Sequence, residues 1–437
     1  MSEVKIPEGY KQTEIGVIPE DWRIATIEDI AIFRNGVAHE KFIDANGKYI
    51  AVNSKFISTE AKVIKRTKVL RNPAYKNEIL MVMSDVPNGR AIAKCFLVPD
   101  DSVYSINQRI CALNITKDNP KYIFYQLNRN PYYLAFDDGV KQTNLRRQDV
   151  LDCPLMIPPK QEQNAIATAL SDIDDLIGSL EKLIAKKEAI KTATMQQLLT
   201  GKTRLPEFAT HEDGSAKGFK QTELGRIPED WEVFEFGSLI NYIKGCPFKS
   251  ADYQHTGVRI IRVSDTSFTD IKDNNPIYIS DSKAKLYKPW KLQKGDLIIS
   301  TVGSKPPMYD SLVGKAIKVT SKHDGSLLNQ NALRVRAKSD TDGIQSLLLS
   351  HFRTERYIDF IEKIYRGNAN QASITLQSLF EFKVPLPNSK KEQTAIATIL
   401  SDMDTEIQAL QQRLDKTKDI KQGMMQQLLT GKVRLAH

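Results

Sequence analysis

Cysteine is scarce: Cys95, Cys111, Cys153 and Cys246 are the four in 437 residues, and no two stand in the C-x-x-C spacing of a zinc or redox site. Reduced core thiols are therefore expected, and a metal site is not. Apolar runs long enough to span a bilayer are missing, as is the apolar core of a signal peptide near the first residue, so a cytoplasmic protein without a membrane partner is expected. Catalytic signatures are equally thin. Asn275-Pro276-Ile277-Tyr278 lacks the second proline of an amino-methyltransferase motif and has no G-x-G partner, and Gly201-Lys202 lacks the upstream glycine of a phosphate-binding loop. No His, Ser or Cys constellation suggests a nucleophile. Glu381-Phe382-Lys383, with Asp359 upstream, faintly echoes a Mg²⁺-dependent nuclease. In a chain with 26% charged residues such triplets arise by chance, and Phe380 and Phe382 flank Glu381 as in a strand with one buried face. No catalytic residue, metal or cofactor is expected in this chain.

Positive charge is in excess. Lys and Arg number 62 against 53 Asp and Glu, a net charge of +9, which favours a polyanionic partner. With 41% hydrophobic residues the chain can fill two or three domain cores.

The strongest signal is a repeat. Residues 162–205, EQNAIATALSDIDDLIGSLEKLIAKKEAIKTATMQQLLTGKTRL, return without a gap as residues 392–435, EQTAIATILSDMDTEIQALQQRLDKTKDIKQGMMQQLLTGKVRL. In the first copy Ile166, Leu170, Ile173, Ile177, Leu180 and Ile184 step by four and three, the seam of a coiled coil. Ile396, Leu400, Met403, Ile407, Leu410 and Leu414 repeat it in the second. Prolines precede each seam (Pro158 and Pro159, Pro385 and Pro387), and Gly201 or Gly431 follows as a natural helix end. Gly178 and Gly423 each weaken a helix interior by roughly 1 kcal/mol relative to Ala, so packing between the copies must outweigh them.

A second motif also occurs twice: GYKQTEIGVIPEDW at residues 9–22 and GFKQTELGRIPEDW at residues 218–231. The chain thus reads as head, helix, head, helix, with domains at residues 1–157, 158–205, 206–386 (opening with a polar linker) and 387–437. Within the heads, residues 79–83, 258–263 and 296–300 read as strands, and residues 121–127 and 344–364 as helical. The fold class expected is α+β, two α/β-type heads separated by two long helices. Because head two begins where helix one ends and leads into helix two, antiparallel pairing follows most simply. One head would then stand at each end of a rod, related by a pseudo-two-fold.

Three motifs, GYKQTEIGVIPEDW, PPKQEQNAIATALSDID and MQQLLTGKTRL, occur together, in order and twice, and in this the chain resembles the specificity (S, HsdS) subunits of type I restriction-modification systems over nearly its whole length. The resemblance implies that each head is a target recognition domain, that the pair reads a bipartite asymmetric site on double-stranded DNA, and that the chain itself performs no chemistry. It further implies docking of methyltransferase (M) subunits, two in number, that bind S-adenosylmethionine, and of restriction (R) subunits that use ATP and Mg²⁺.

Base reading requires Arg or Lys for guanine and Asn or Gln for adenine, and phosphates require only donors or positive charge. Candidate DNA-binding residues in head one are Arg34, then Asn107, Gln108 and Arg109, then Lys141, Gln142 and Asn144 in the glycine-led loop GVKQTN. In head two they are Lys244 and Lys249 in KGCPFKS, Asn329, Gln330 and Asn331, and Arg366, Asn368, Asn370 and Gln371 in RGNANQ. Asn107-Gln108 and Asn329-Gln330 could equally satisfy backbone groups at a strand edge. Trp22 and Trp231 belong to the shared motif and are expected to pack, because specificity belongs where the heads differ.

If the helices act as a ruler, inserting four residues near Leu180 and four near Leu410 lengthens the rod by about 6 Å, and four residues lie close enough to one turn to keep the seam paired. At about 3.4 Å per base pair, that predicts a target whose half-sites are unchanged and whose spacer grows by about one base pair, two at most. Sequencing the methylated sites of the double insertion checks this. An active protein that keeps its original spacer would remove the ruler.

Overall fold

The computed structural model describes residues 6–87, 89–101, 103–267, 269–339, 342–367 and 372–435. The chain divides into two compact units. One takes the residues up to Glu181 together with those from Gln412 onward, and the other takes Lys182–Gln411. Each unit therefore holds one head, the opening part of that head's own long helix and the closing part of the other.

In the first unit the strands Tyr10–Thr13 and Gly16–Pro19 of the shared motif form an antiparallel hairpin, and Arg23–Thr26 pairs with Pro154–Ile157 just before the long helix. The core of the head is a four-stranded antiparallel sheet in the order Ala31–Asn35, Ile110–Ile115, Ile79–Val82, Cys95–Leu97. Beside it lie a three-stranded sheet, Tyr104–Ile106, Tyr49–Val52 and Arg66–Thr67, and the short pair Thr143–Asn144 with Ser84–Asp85. Ile79–Val82 is wholly apolar because both of its faces are buried: Ile79 and Met81 enter one cluster, Leu80 and Val82 another.

The second unit repeats this order with different residues. Its hairpin is Phe219–Thr222 with Gly225–Pro228, and Trp231–Glu235 pairs with Lys383–Pro387. The four-stranded sheet runs Ile240–Lys244, Ala332–Ala337, Leu297–Ser300, Ala316–Lys318. Here too Leu297 and Ile299 feed one cluster and Ile298 another. The three-stranded sheet is Ile277–Ile279, Val258–Ile261 and Leu327–Leu328, and Val302–Gly303 pairs with Ala372–Ser373.

Two expectations about head two need correction. The helical stretch of residues 344–364 is two helices, Asp342–His351 and Glu355–Ile364, because the Thr354 hydroxyl caps a fresh start by accepting from the Tyr357 N–H. Glu381 lies in no strand. Leu376–Phe380 is a short helix capped by Thr375, Glu381 closes it, and the strand begins at Lys383. The alternation of Phe380 and Phe382 reflects packing from a helix end rather than a pleat.

The long helices span Lys160–Leu198 and Lys390–Leu428. All twelve seam residues are buried or half-buried. Within each unit the two helices are joined by ion pairs: Lys421 to Asp174 at 2.6 Å and Lys418 to Glu181 at 2.8 Å in the first, Lys187 to Glu406 at 2.6 Å and Lys191 to Asp404 in the second. In both, rising numbers on one helix meet falling numbers on the other. The first two seam positions of each copy do a different job from the rest: Ile166 and Leu170 complete the core of head one, and Ile396 and Leu400 that of head two.

Gly201 and Gly431 end their helices at φ +66° and +69°, in the left-handed region that favours glycine. A Cβ on Gly201 would stand 2.4 Å from Pro228 Cδ, and one on Gly431 2.5 Å from Pro19 Cδ. Gly201→Ala is therefore expected to lower stability by more than about 1 kcal/mol, through strain and the collision together. Chemical denaturation measures it, and a loss within error would mean that the Pro228 loop yields freely.

Candidate nucleic-acid interface

In each head a polar turn is tied to a second polar segment through one backbone position. In head one the Met83 N–H donates to the Arg109 carbonyl at 3.0 Å, and the Met83 carbonyl accepts from the Leu145 N–H at 2.8 Å. That brings Asn107-Gln108-Arg109 beside Gln142 and Asn144. In head two the Thr301 N–H donates to the Asn331 carbonyl at 2.8 Å, and the Thr301 carbonyl accepts from the Ile374 N–H at 3.1 Å. Asn329-Gln330-Asn331 thus lies beside Ile374, which follows the Ser373 that pairs with Arg366. The turn is held closely from its other side: a Cβ on Gly36 would meet the Asn107 carbonyl oxygen at 1.9 Å, and one on Gly245 would meet that of Asn329 at 1.9 Å. Only glycine permits that approach.

The side chains in this cluster divide by what already engages them. Asn107 and Asn329 each turn the carbonyl of their own side chain onto the next backbone N–H, at 2.6 and 2.7 Å, as residues that shape a turn do. Gln108 is exposed, with its amide 3.2 Å from Glu40 Oε1, and Gln330 is exposed. Arg109 is exposed, and its guanidinium has no partner among the described residues. Gln142 donates to Ser84 Oγ at 2.8 Å and to Asn144 Oδ1 at 3.0 Å, and Asn144 Oδ1 accepts from Ser84 Oγ at 2.6 Å. The three side chains form one small network in which each orients the others. Ser84 was missed in the sequence, although a polar residue closing the apolar run of residues 79–83 is a signal of a strand end.

Other candidates stand apart from this geometry. Arg34 is engaged by the fold, donating to Asn72 Oδ1 at 3.0 Å, to the Pro73 carbonyl at 3.1 Å and to the buried Glu78 carboxylate at 2.7 Å, with Tyr75 against its face. Glu78 ties this guanidinium to the fold, since a buried carboxylate must keep its counter-charge. Lys141 and Lys249 are exposed, while Lys244 is exposed on its strand and accepts from Trp290 Nε1 at 2.9 Å through its carbonyl. Arg366 is exposed, its backbone paired with Ser373. Asn368, Asn370 and Gln371 lie outside the described residues. Trp22 and Trp231 are each 1% exposed, as packing residues should be.

A family model described as "Type I restriction modification DNA specificity domain" matches residues 19–191 and again residues 228–418, once over each head and its helix. The chain belongs to this family. The MjaVIII specificity subunit of Methanocaldococcus jannaschii, a type I restriction enzyme subunit, is 26% identical, over 98% of this chain and 96% of that one. The EcoBI specificity subunit of Escherichia coli is 28% identical over 46% of this chain and 44% of its own length. In fold, the crystal structure of the type I restriction-modification S subunit from M. genitalium covers 93% of this chain and 96% of that one, with a TM-score of 0.58 at 16% identity. As a member of the family the chain is a sequence-specific DNA-binding specificity subunit of a type I restriction-modification complex. Among the described residues no three His, Cys, Asp or Glu side chains gather to hold a metal ion.

Proposed function

We propose that this specificity subunit reads a bipartite, asymmetric DNA target, each half by one head, and that it docks two methyltransferase subunits and, through them, restriction subunits. S-adenosylmethionine, ATP and Mg²⁺ belong to those partners. The observation that carries the reading is that two heads of the same sheet order present different side chains at one equivalent place: Asn-Gln-Arg beside Gln142 and Asn144 in head one, Asn-Gln-Asn beside Ser373 and Ile374 in head two. Different readers on one frame select different sequences. The opposed numbering of the interhelical ion pairs supports an antiparallel coiled coil, and the matched repeat a pseudo-two-fold frame.

Sequencing DNA from cells that express this chain with its methyltransferase partner tests the proposal. One split motif, with methylated adenines in both halves, is the expected outcome, and a continuous motif would contradict it. Within that assay Arg109→Ala is expected to relax one position of one half by roughly 1–3 kcal/mol if its free guanidinium grips a guanine edge. A uniform weakening across all sequences would assign Arg109 to phosphate.

A further inference from the structure

Where the helix Glu355–Ile364 begins, Arg353 and Arg356 face the closing turns of the first long helix, all inside the unit Lys182–Gln411. Between them is a cleft of about 430 Å³ with Met195, Leu199 and Lys202 on one side and His351, Arg353 and Arg356 on the other. Past Lys202 and Arg356 it continues into a hollow of about 620 Å³ walled by Phe219 and Arg226.

Among the described residues, the donors of this cleft are poorly satisfied. Arg356 donates from Nη1 to the Lys383 carbonyl at 2.6 Å and stacks on Phe382, yet its Nη2 is buried without a partner. Arg353 reaches Asp404 at 3.3 Å, a carboxylate already paired with Lys191, and its Nε is likewise buried without a partner. Burial lowers the Arg356 pKa to about 10, which leaves it charged at neutral pH, and burial together with Arg356 holds His351 neutral at about 3. A buried guanidinium N–H without an acceptor is unfavourable and rare in a finished structure. The matching place in head one carries different residues: after its capping Asn130 come Pro131 and Tyr132, where after Thr354 head two has Glu355 and Arg356.

We propose that this cleft receives a carboxylate side chain, set among apolar residues, from one methyltransferase subunit, with Arg356 and Arg353 as its anchors. The inference rests on the reading that methyltransferase subunits dock on this chain. Lys202, Arg353 and Arg356 outnumber Glu355 in the lining, so charge complementarity calls for an anion, and the walls decide its source. Met195, Leu199 and Phe219 suit the apolar flanks of a protein side chain, whereas a phosphate backbone tracks open, hydrated basic grooves. Because head one has Tyr132 where head two has Arg356, the two methyltransferase copies dock unequally.

The test titrates the full-length chain with the methyltransferase subunit, counting bound copies by native mass spectrometry, and measures Tm and DNA affinity alongside. Arg356→Met is expected to weaken one copy roughly thirtyfold or more while sparing the other, with Tm unchanged or raised because an unsatisfied charge leaves the interior. Should that variant fold poorly, the surface reversals Lys202→Glu and Arg226→Glu decide, and weaker binding of one copy is again expected. Normal assembly of these variants overturns the cleft while leaving the docking reading intact. Failure of the unsubstituted chain to bind any methyltransferase overturns that reading itself. Lost DNA affinity with intact assembly would make the anion a phosphate and overturn the proposal.

Discussion

Replacing residues 9–157 with the head of another member of the family is expected to change one half of the methylated sequence completely and leave the other half as it was. The reason lies in what the head rests on. Head one packs against Met425, Leu428 and Leu429 near the end of the second long helix, and head two packs against Met195, Leu198 and Leu199 near the end of the first. Those residues belong to MQQLLTGK, identical at 195–202 and 425–432, so both heads sit on the same chemistry. A head that folds on one copy should fold on the other. The same argument predicts that exchanging the positions of the two native heads yields a folded protein. Methylome sequencing reads the result, and a chimera that alters both half-sites would mean that the heads read DNA as one surface.

A large loss of stability is expected from Arg204→Ala. Arg204 is buried, donating to Glu392 at 2.9 Å through Nε and to Asp230 at 2.7 Å through Nη1. The Glu392 side chain is 1% exposed. Removing Arg204 leaves that carboxylate charged and unpaired in the interior, which typically costs about 3–5 kcal/mol. Removing both members, Arg204→Met with Glu392→Met, should cost much less, because no buried charge remains. Denaturation of the parent and the two variants, with hydrogen exchange to assign the loss to Lys182–Gln411, measures the difference. A single variant less than about 1 kcal/mol below the parent would show that Glu392 finds water or another donor. The pH dependence follows from Asp230. Burial opposes its ionisation, but hydrogen bonds from Lys217 and Arg204 more than offset this, so its pKa is lowered. Its stabilising contribution is present above the unfolded carboxylate value and is lost as the pH falls through the folded one. The Arg204→Ala variant should lose less in that acid range.

The same arrangement recurs in the other unit with more partners. Glu162, 0% exposed, accepts from Arg434 at 2.7 Å and from Trp22 Nε1 at 3.0 Å, and Arg434 also holds Asp21. The repeated E-D-W, E-Q and K-x-R-L fragments therefore meet in each unit. Each fragment is visible in the sequence, but nothing in a linear reading joins Arg434 to Glu162, 272 positions away. Trp231, the counterpart of Trp22, is buried with no partner for Nε1 among the described residues.

By itself the sequence determined the two long helices, their glycine ends, the two heads and the family. These rest on local or repeated signals: a 3.5-residue period, a left-handed closing residue, a motif found twice. Tertiary structure alone decided which polar side chains are already engaged by the fold. Arg34 and Arg109 look alike in composition and setting, yet one is held by Glu78 and the other is open, because the difference comes from a carboxylate 44 residues away. It likewise decided that Ile166 and Leu170 serve a head before the seam begins, and that among the described residues the buried guanidinium donors without acceptors lie in head two. Hydrophobic period records that a face is covered, and charge records that a partner is needed. Which neighbour does the covering or the pairing is set by contacts between distant segments, and those exist only once the chain has folded.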